Sequence, residues 1–244
     1  MKRVGIHQVN YFPWIGYFNK MAKSDVFVFL DEVQLTDRGL SQRTPLVGSN
    51  GKTTYLTVSV DKHGHREKKF SEIQLNRNVD WQEIQFNFLK GNYSKHPFYK
   101  EVMGVIDYFF LRDFTSLMDV TMESVKCIKD ILEIKTKTIM QSEIQYDKSA
   151  KKSNLMLKLT KGCEGDTYLS GTGARKYMDL CDFEDEGVKV QYLKFNPFVY
   201  PQYRSNQFVQ GLSVLDLLFN VGLNEAKALF WENIQNNEQF ECIE

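Results

Sequence analysis

Neither sign of charge dominates this chain of 244 residues: 31 Lys and Arg stand against 31 Asp and Glu. That balance removes any global electrostatic case for nucleic acid or an anionic membrane surface, and a localised site is expected instead. Cysteine is scarce. The four thiols, Cys127, Cys163, Cys181 and Cys242, show no CxxC spacing and no close histidine, so they mark neither a zinc site nor a disulfide framework and are expected to be reduced. Long apolar runs are missing too, all falling short of the roughly 20 residues that cross a bilayer. Met1-Lys2-Arg3 is followed by a short strand-like run, not by the apolar core and cleavage site of a signal peptide. A cytoplasmic protein with no membrane insertion is the expectation. Repeats, low-complexity linkers and Pro-rich boundaries are likewise absent, and the length suits one large domain spanning 1–244.

Aromatic side chains are plentiful, with 18 Phe, 12 Tyr and 3 Trp, which predicts a phenylalanine-rich core and tyrosine hydroxyls at a cleft. Residues 2–7 (KRVGIH) have the pattern of a short buried strand. Gly16 to Lys23 suits a helix, and DVFVFLDEV at 25–33 is apolar almost throughout, as a strand buried on both faces is. Strand, helix and strand within about 30 residues make a βαβ unit, hence a parallel sheet whose ligands bind beyond the carboxyl ends of the strands. Residues 35–52 read as a loop and 54–60 as an alternating strand. From about 81 to 132, three stretches place apolar residues at three- and four-residue steps, which predicts a helical insertion. KTKTIMQSEI then suits a strand, SNLMLKLTKGC a helix capped by Ser153, DTYLSG a strand, GARKYMDL the start of a helix, and VKVQYLKF another strand. SVLDLLFNVG suits a helix with Ser213 near its start and Gly222 at its end. The expected fold is α/β with a mainly parallel sheet, a Rossmann-like βαβ start and a helical middle.

Five groups of residues are candidates for chemistry. His7, Gln8, Asn10, Tyr11 and Trp14 crowd the first loop, where a histidine can move a proton near neutrality; a core histidine with an aromatic turn around it is the plainer alternative. Asp31, Glu32 and Gln34 leave the second strand, where they either hold a hydroxylated or amino-bearing substrate or form an ordinary polar exit. Arg38 and Arg43 follow, suited to phosphate or to solvent. Ser170, Gly171, Thr172 and Gly173 lie between a strand and a helix, where an anion is favoured, although neither GK[ST] nor GxGxxG is present. Tyr200, Gln202, Tyr203 and Arg204 combine aromatic and planar polar groups that suit a sugar or a base, or else anchor a loop. His63 and His65 sit in a charged loop that gives little reason to expect a metal, and no metal site is assigned.

The stretch HQVNYFPWIGYFNKMAKSDVFVFLDEVQ, with Gln42-Arg43, YLTVSV, SNLMLKLTKGCEGDTYLSGTGARKYMD and the C-terminal YPQY and FVQGLSVLDLLFNVG, resembles the WbqC family. His7, Pro13, Trp14, Asp31, Gln34, Arg43, Ser170, Gly171 and Asp216 match its pattern. Val9 stands where the family has proline and Gln42 where it usually has asparagine. The resemblance implies a component of O-antigen and related surface-polysaccharide synthesis and a small-molecule enzyme; the hypothesis built on it is an N-acyl or aminoacyl transferase acting on a nucleotide-linked amino sugar, with an acyl or aminoacyl carrier as second partner. On that reading His7 takes a proton from the attacking amine, Asp31 orients the amine or the histidine, and Arg43 with the 170–173 turn binds phosphate of the nucleotide-sugar or of a carrier arm. A more distant likeness, to ATP-dependent nucleotidyltransferases and ligases of the HIGH type, rests on His7 and the SGTGARK turn alone. A non-catalytic sugar-binding subunit is the third alternative. No cofactor follows from any of these.

Overall fold

The computed structural model describes residues 1–37, 39–203, 207–236 and 240–242, with the side chains of Tyr177 and of 240–242 excepted. Arg38 and Arg204 lie outside the described residues. Among those residues no helix is long and apolar enough to cross a membrane.

The chain opens with β1 (Arg3–Gln8), α1 (Ile15–Ala22) and β2 (Val26–Leu30), and β1 pairs parallel to β2 with His7 opposite Phe29. Strand periodicity splits β2 between two cores. Val26 and Val28 join Val4 and Ile6 under Leu155, Leu157 and Leu159, while Phe27 and Phe29 join Tyr17, Phe18 and Met21 on the other face. Each fully buried phenylalanine there contributes roughly 1.5–3 kcal/mol of burial free energy. Gly5 has no substitute at its position, because a Cβ would stand 2.2 Å from Ser24 Oγ where α1 turns into β2.

Between β2 and the next strand of the main sheet, β5 (Lys137–Met140), the chain builds a separate layer. It holds β3 (Arg43–Val47), β4 (Thr53–Thr57), α2 (Trp81–Tyr93), α3 (Tyr99–Leu111) and α4 (Leu117–Ile131). The three helices stand where periodicity predicts them. Asp80 caps α2 by accepting from Glu83 N at 2.9 Å, and Ser116 and Asp119 cap α4 reciprocally. The strand at 43–47 corrects the expected loop. Its Pro45 suggests a turn, but β3 and β4 form an isolated two-stranded ribbon in which both strands are edges, so a missing N–H is tolerated.

The chain then returns through α5 (Lys152–Gly162) to β6 (Thr167–Gly171), α6 (Leu180–Asp185) and β7 (Lys189–Leu193). After β7 come α7 (Val214–Val221), α8 (Leu223–Asn236) and β8 (Phe240–Cys242). Ser153 does not cap α5; its hydroxyl accepts from Asp179 N at 3.0 Å and ties α5 to the start of α6. Residues 172–177 form a 3₁₀ turn before α6. Gly222, at φ +84°, ends α7 as expected and turns the chain straight into α8, which the sequence reading did not anticipate.

The strand order is β5-β2-β1-β6-β7-β8, parallel except for β8 at the edge. Connections from β1 run outward to β2 and β5, then cross back to β6 on the opposite side of β1. The topological switch point therefore lies between β1 and β6. The two strands pair only as far as Gly5 opposite Leu169, while β1 continues beside β2 to Gln8 and β6 beside β7 to Gly171. Beyond that last pair the sheet splits.

Candidate functional site

A cavity of about 540 Å³ occupies this split. Its base is the end of β1, with Ile6, His7 and Gln8; one wall is Trp14, Tyr17 and Lys20 from the loop and α1; the other is Tyr168, the 170–173 turn, Lys194 and Phe195. This is where open parallel sheets bind ligands.

The loop that carries Trp14 is held from three sides. Phe12 has φ +36°, a conformation unfavourable for a side-chain-bearing residue, and persists because its neighbours leave no alternative. Its N–H donates to Ser124 Oγ of α4 at 3.1 Å, and its carbonyl accepts from Thr44 Oγ1 of β3 and Ser213 Oγ at the start of α7, both at 2.8 Å. The Pro13 carbonyl accepts from Val214 N at 3.0 Å. The inserted layer and the start of α7 thus clamp the loop and set Trp14 against Phe195, edge to face at 5.2 Å. Gly16 is required beneath it, since a Cβ would meet the indole at 2.3 Å.

Two titratable groups meet at the cavity base. His7 Nδ1 lies 2.9 Å from the Gln8 carbonyl oxygen, which can only accept, so the ring proton sits on Nδ1 and Nε2 keeps the lone pair. Burial and then the neighbouring Lys20 lower the His7 pKa to about 4, so the imidazole is neutral at physiological pH. Lys20 is buried and donates from Nζ to the Ile6 carbonyl at 2.7 Å, just past the last β1–β6 pair. Among the described residues no carboxylate reaches it, and burial lowers its pKa to about 7. The Tyr17 ring stands edge-on to His7 at 5.0 Å, and its buried hydroxyl has no well-formed hydrogen-bond partner. Among the described residues no aspartate or glutamate lines the cavity. At its mouth, Lys194 is exposed and has no acidic partner among the described residues.

The structure brings together His7, Gln8, Trp14, Ser170, Gly171, Thr172 and Gly173. It does not bring Asp31 or Arg43 into the same cavity, contrary to the expected convergence. Asp31 is buried and accepts from Ser142 N at 3.0 Å, clipping the end of β2 to the turn after β5. The Arg43 guanidinium stacks on Tyr55 at 4.1 Å across the ribbon. Tyr11 is buried and donates to Gln85 Oε1 at 2.6 Å, so it fastens the loop to α2 and does not face a ligand. Tyr200 and Gln202 converge with Tyr93 on the buried Asp216: Tyr93 donates to Oδ1 at 2.8 Å, Tyr200 to Oδ2 at 2.9 Å and Gln202 to Oδ2 at 3.3 Å. Burial raises the Asp216 pKa against the pull of these donors. Gln34 lines a second cavity, described below. His65 pairs with Asp37 at 3.1 Å in its charged loop.

Lys20 is the cavity residue the sequence reading missed. A lysine in the last turn of a helix is the ordinary complement of the terminal carbonyls, so it attracts no notice. The available signal was spacing: Tyr17 and Lys20 stand three apart and share the helix face that looks onto β1. Tyr168, Lys194 and Phe195 were missed because only the topology brings β6 beside β1 and β7 beyond it.

Residues 8–228 match the WbqC-like protein family. An uncharacterized protein of Mycobacterium tuberculosis is 29% identical over 223 residues, an alignment that covers 91% of this chain and 95% of that relative. No solved structure matches the chain.

Proposed function

The chain belongs to the WbqC-like protein family, and on that premise we propose that the cavity between β1 and β6 binds a nucleotide-linked amino sugar, the protein being a cytoplasmic N-acyl or aminoacyl transferase of surface-polysaccharide (O-antigen type) synthesis. One observation carries this reading. The cavity joins aromatic walls, Trp14, Tyr17, Tyr168 and Phe195, to the cation Lys194 and the buried amine of Lys20, and among the described residues no carboxylate lines it. Aromatic faces suit a sugar or base ring, and an uncompensated cation suits phosphate.

In the proposed reaction the sugar amine attacks the acyl carbonyl of the donor. The carbonyl–nitrogen bond forms as the carbonyl–carrier bond breaks, the carrier heteroatom leaves with the bonding pair, and one amine proton passes to the enzyme. Lys20, with a pKa near 7, is matched to take that proton, whereas His7, held near 4, accepts a hydrogen bond from the amine through Nε2 and orients it. Asp31 acts at a distance, as a positioning residue that fixes the end of β2.

The test is turnover of UDP- and dTDP-linked amino sugars with acyl thioester and aminoacyl donors, measured against pH. Rate rising through about pH 7, and lost in Lys20→Met, supports the assignment. Binding of nucleotide sugars without turnover by any donor favours a sugar-binding subunit, and Mg²⁺-dependent consumption of ATP favours nucleotidyl transfer.

A further inference from the structure

A second cavity, of about 560 Å³, opens at the carboxyl ends of β2 and β5, and four lysines line it: Lys69, Lys148, Lys151 and Lys152. We propose that it binds the phosphate-bearing portion of the acyl donor, so that the two substrates of the transferase enter from adjoining chambers. This rests on the transferase reading above.

The charges do not balance. Among the described residues Glu32 is the one carboxylate in the lining, and it is held by Lys69 Nζ at 2.7 Å, by Lys148 Nζ and by the Tyr146 hydroxyl at 3.0 Å. Those donors keep Glu32 ionised, with its pKa lowered to about 2. Glu32 therefore acts as an anchor that fixes two lysines at the cavity wall, and it neutralises one charge of the four. Lys151 and Lys152 have no acidic partner among the described residues. Clustered cations repel one another unless an anion joins them, and lysines serve as point charges for phosphate.

The position of the cavity gives the anion its role. Gln8 lines the first cavity and Gln34 the second, and Gln8 Nε2 donates to the Gln34 carbonyl at 3.1 Å. Leu30 at the end of β2 lines the first, and Glu32, two residues on, lines the second. The Gln8–Gln34 hydrogen bond thus joins the lining of one chamber to the lining of the other. A donor anchored by phosphate among the lysines can present its acyl end across Gln8 to an amine held beside His7 and Lys20.

Inorganic pyrophosphate is the probe, titrated by calorimetry into the full-length protein. With the first cavity filled by a saturating nucleotide-linked amino sugar, pyrophosphate binding should weaken about tenfold for each lysine lost in Lys151→Gln and Lys152→Gln, and should stay within about twofold in Lys194→Gln. All three lysines are exposed, so melting temperatures of the variants confirm an intact fold. Binding that survives the Lys151→Gln/Lys152→Gln pair but is lost in Lys194→Gln would place the anion in the first cavity and overturn the inference while leaving the proposed function standing. A nucleotide-linked amino sugar should bind the lysine pair variant as it binds the wild type. If it too is lost, the lysines hold the diphosphate of the sugar nucleotide and the donor assignment is wrong. Pyrophosphate binding carried by these lysines in a protein that binds no nucleotide sugar would instead refute the first-cavity reading and keep the anion site.

Discussion

Lys20→Met should make the protein more stable and inactive together. The folded-state pKa of Lys20 is lowered from 10.5 to about 7, so between those values the unfolded chain holds a proton that the folded one does not. Stability therefore rises with pH across that window, by about 1.4 kcal/mol per unit, is complete above the unfolded value, and is lost as pH falls toward 7. Near pH 7 the buried amine costs about 5 kcal/mol relative to an uncharged side chain. Methionine removes that cost at similar length but leaves the Ile6 carbonyl without its donor, a loss of about 1–3 kcal/mol. The net gain is about 2–4 kcal/mol, or roughly 4–16 °C in melting temperature for a chain of this size. Denaturant melts of wild type and variant from pH 6 to 10 read the effect as the difference between the two curves, which cancels every other titrating group. A gap that narrows as pH rises from 7 to 10 is expected. A variant less stable at pH 7, or a gap independent of pH, would show that the lysine is charged and satisfied in the fold, and would remove it as proton acceptor.

Three further outcomes follow from the geometry. His7→Ala should lower turnover by about 10² through loss of orientation without melting the protein, and the wild type should lose stability as pH falls from 6.5 toward 4, because the unfolded histidine takes a proton that the folded one resists; acid melts of the two proteins check this, and a collapse of the fold in His7→Ala would make it a core histidine. Gly16→Ala should drive the Trp14 indole from its place against Phe195, seen as a shift in tryptophan emission and at least tenfold weaker nucleotide-sugar binding, with an unchanged spectrum as the contrary result. Asp31→Ala should cost about 1–3 kcal/mol of stability by orphaning Ser142 N, with little change in sugar binding; a binding defect without a stability defect would return Asp31 to the substrate.

How much of this was legible depends on where each signal resides. The βαβ start follows from local pattern: VFVFL has no polar face, so it can only be a strand covered on both sides, and the helices at 81–131 announce themselves by period. His7, Trp14 and the 170–173 turn were legible because strand-end loops of a parallel sheet share one edge. Their convergence was legible only in part, since nothing local tells that β6 rather than β5 lies beside β1. Tyr11, Tyr200 and Gln202 look like cleft residues by type, yet they face buried partners, Gln85 and Asp216, that lie 74, 16 and 14 residues away. Arg43 is drawn off by Tyr55, its near neighbour across the ribbon, in a stretch that Pro45 disguises as a loop.

The measurement that bears most directly on the central claim is a calorimetric titration of wild type, Trp14→Ala, Lys194→Gln and Arg43→Ala with a UDP-linked amino sugar. Saturable binding that weakens at least tenfold in Trp14→Ala and Lys194→Gln, and holds in Arg43→Ala, is what a ligand seated between β1 and β6 predicts. Binding indifferent to Trp14 and Lys194, or abolished by Arg43→Ala alone, would contradict it and move the site to the inserted ribbon.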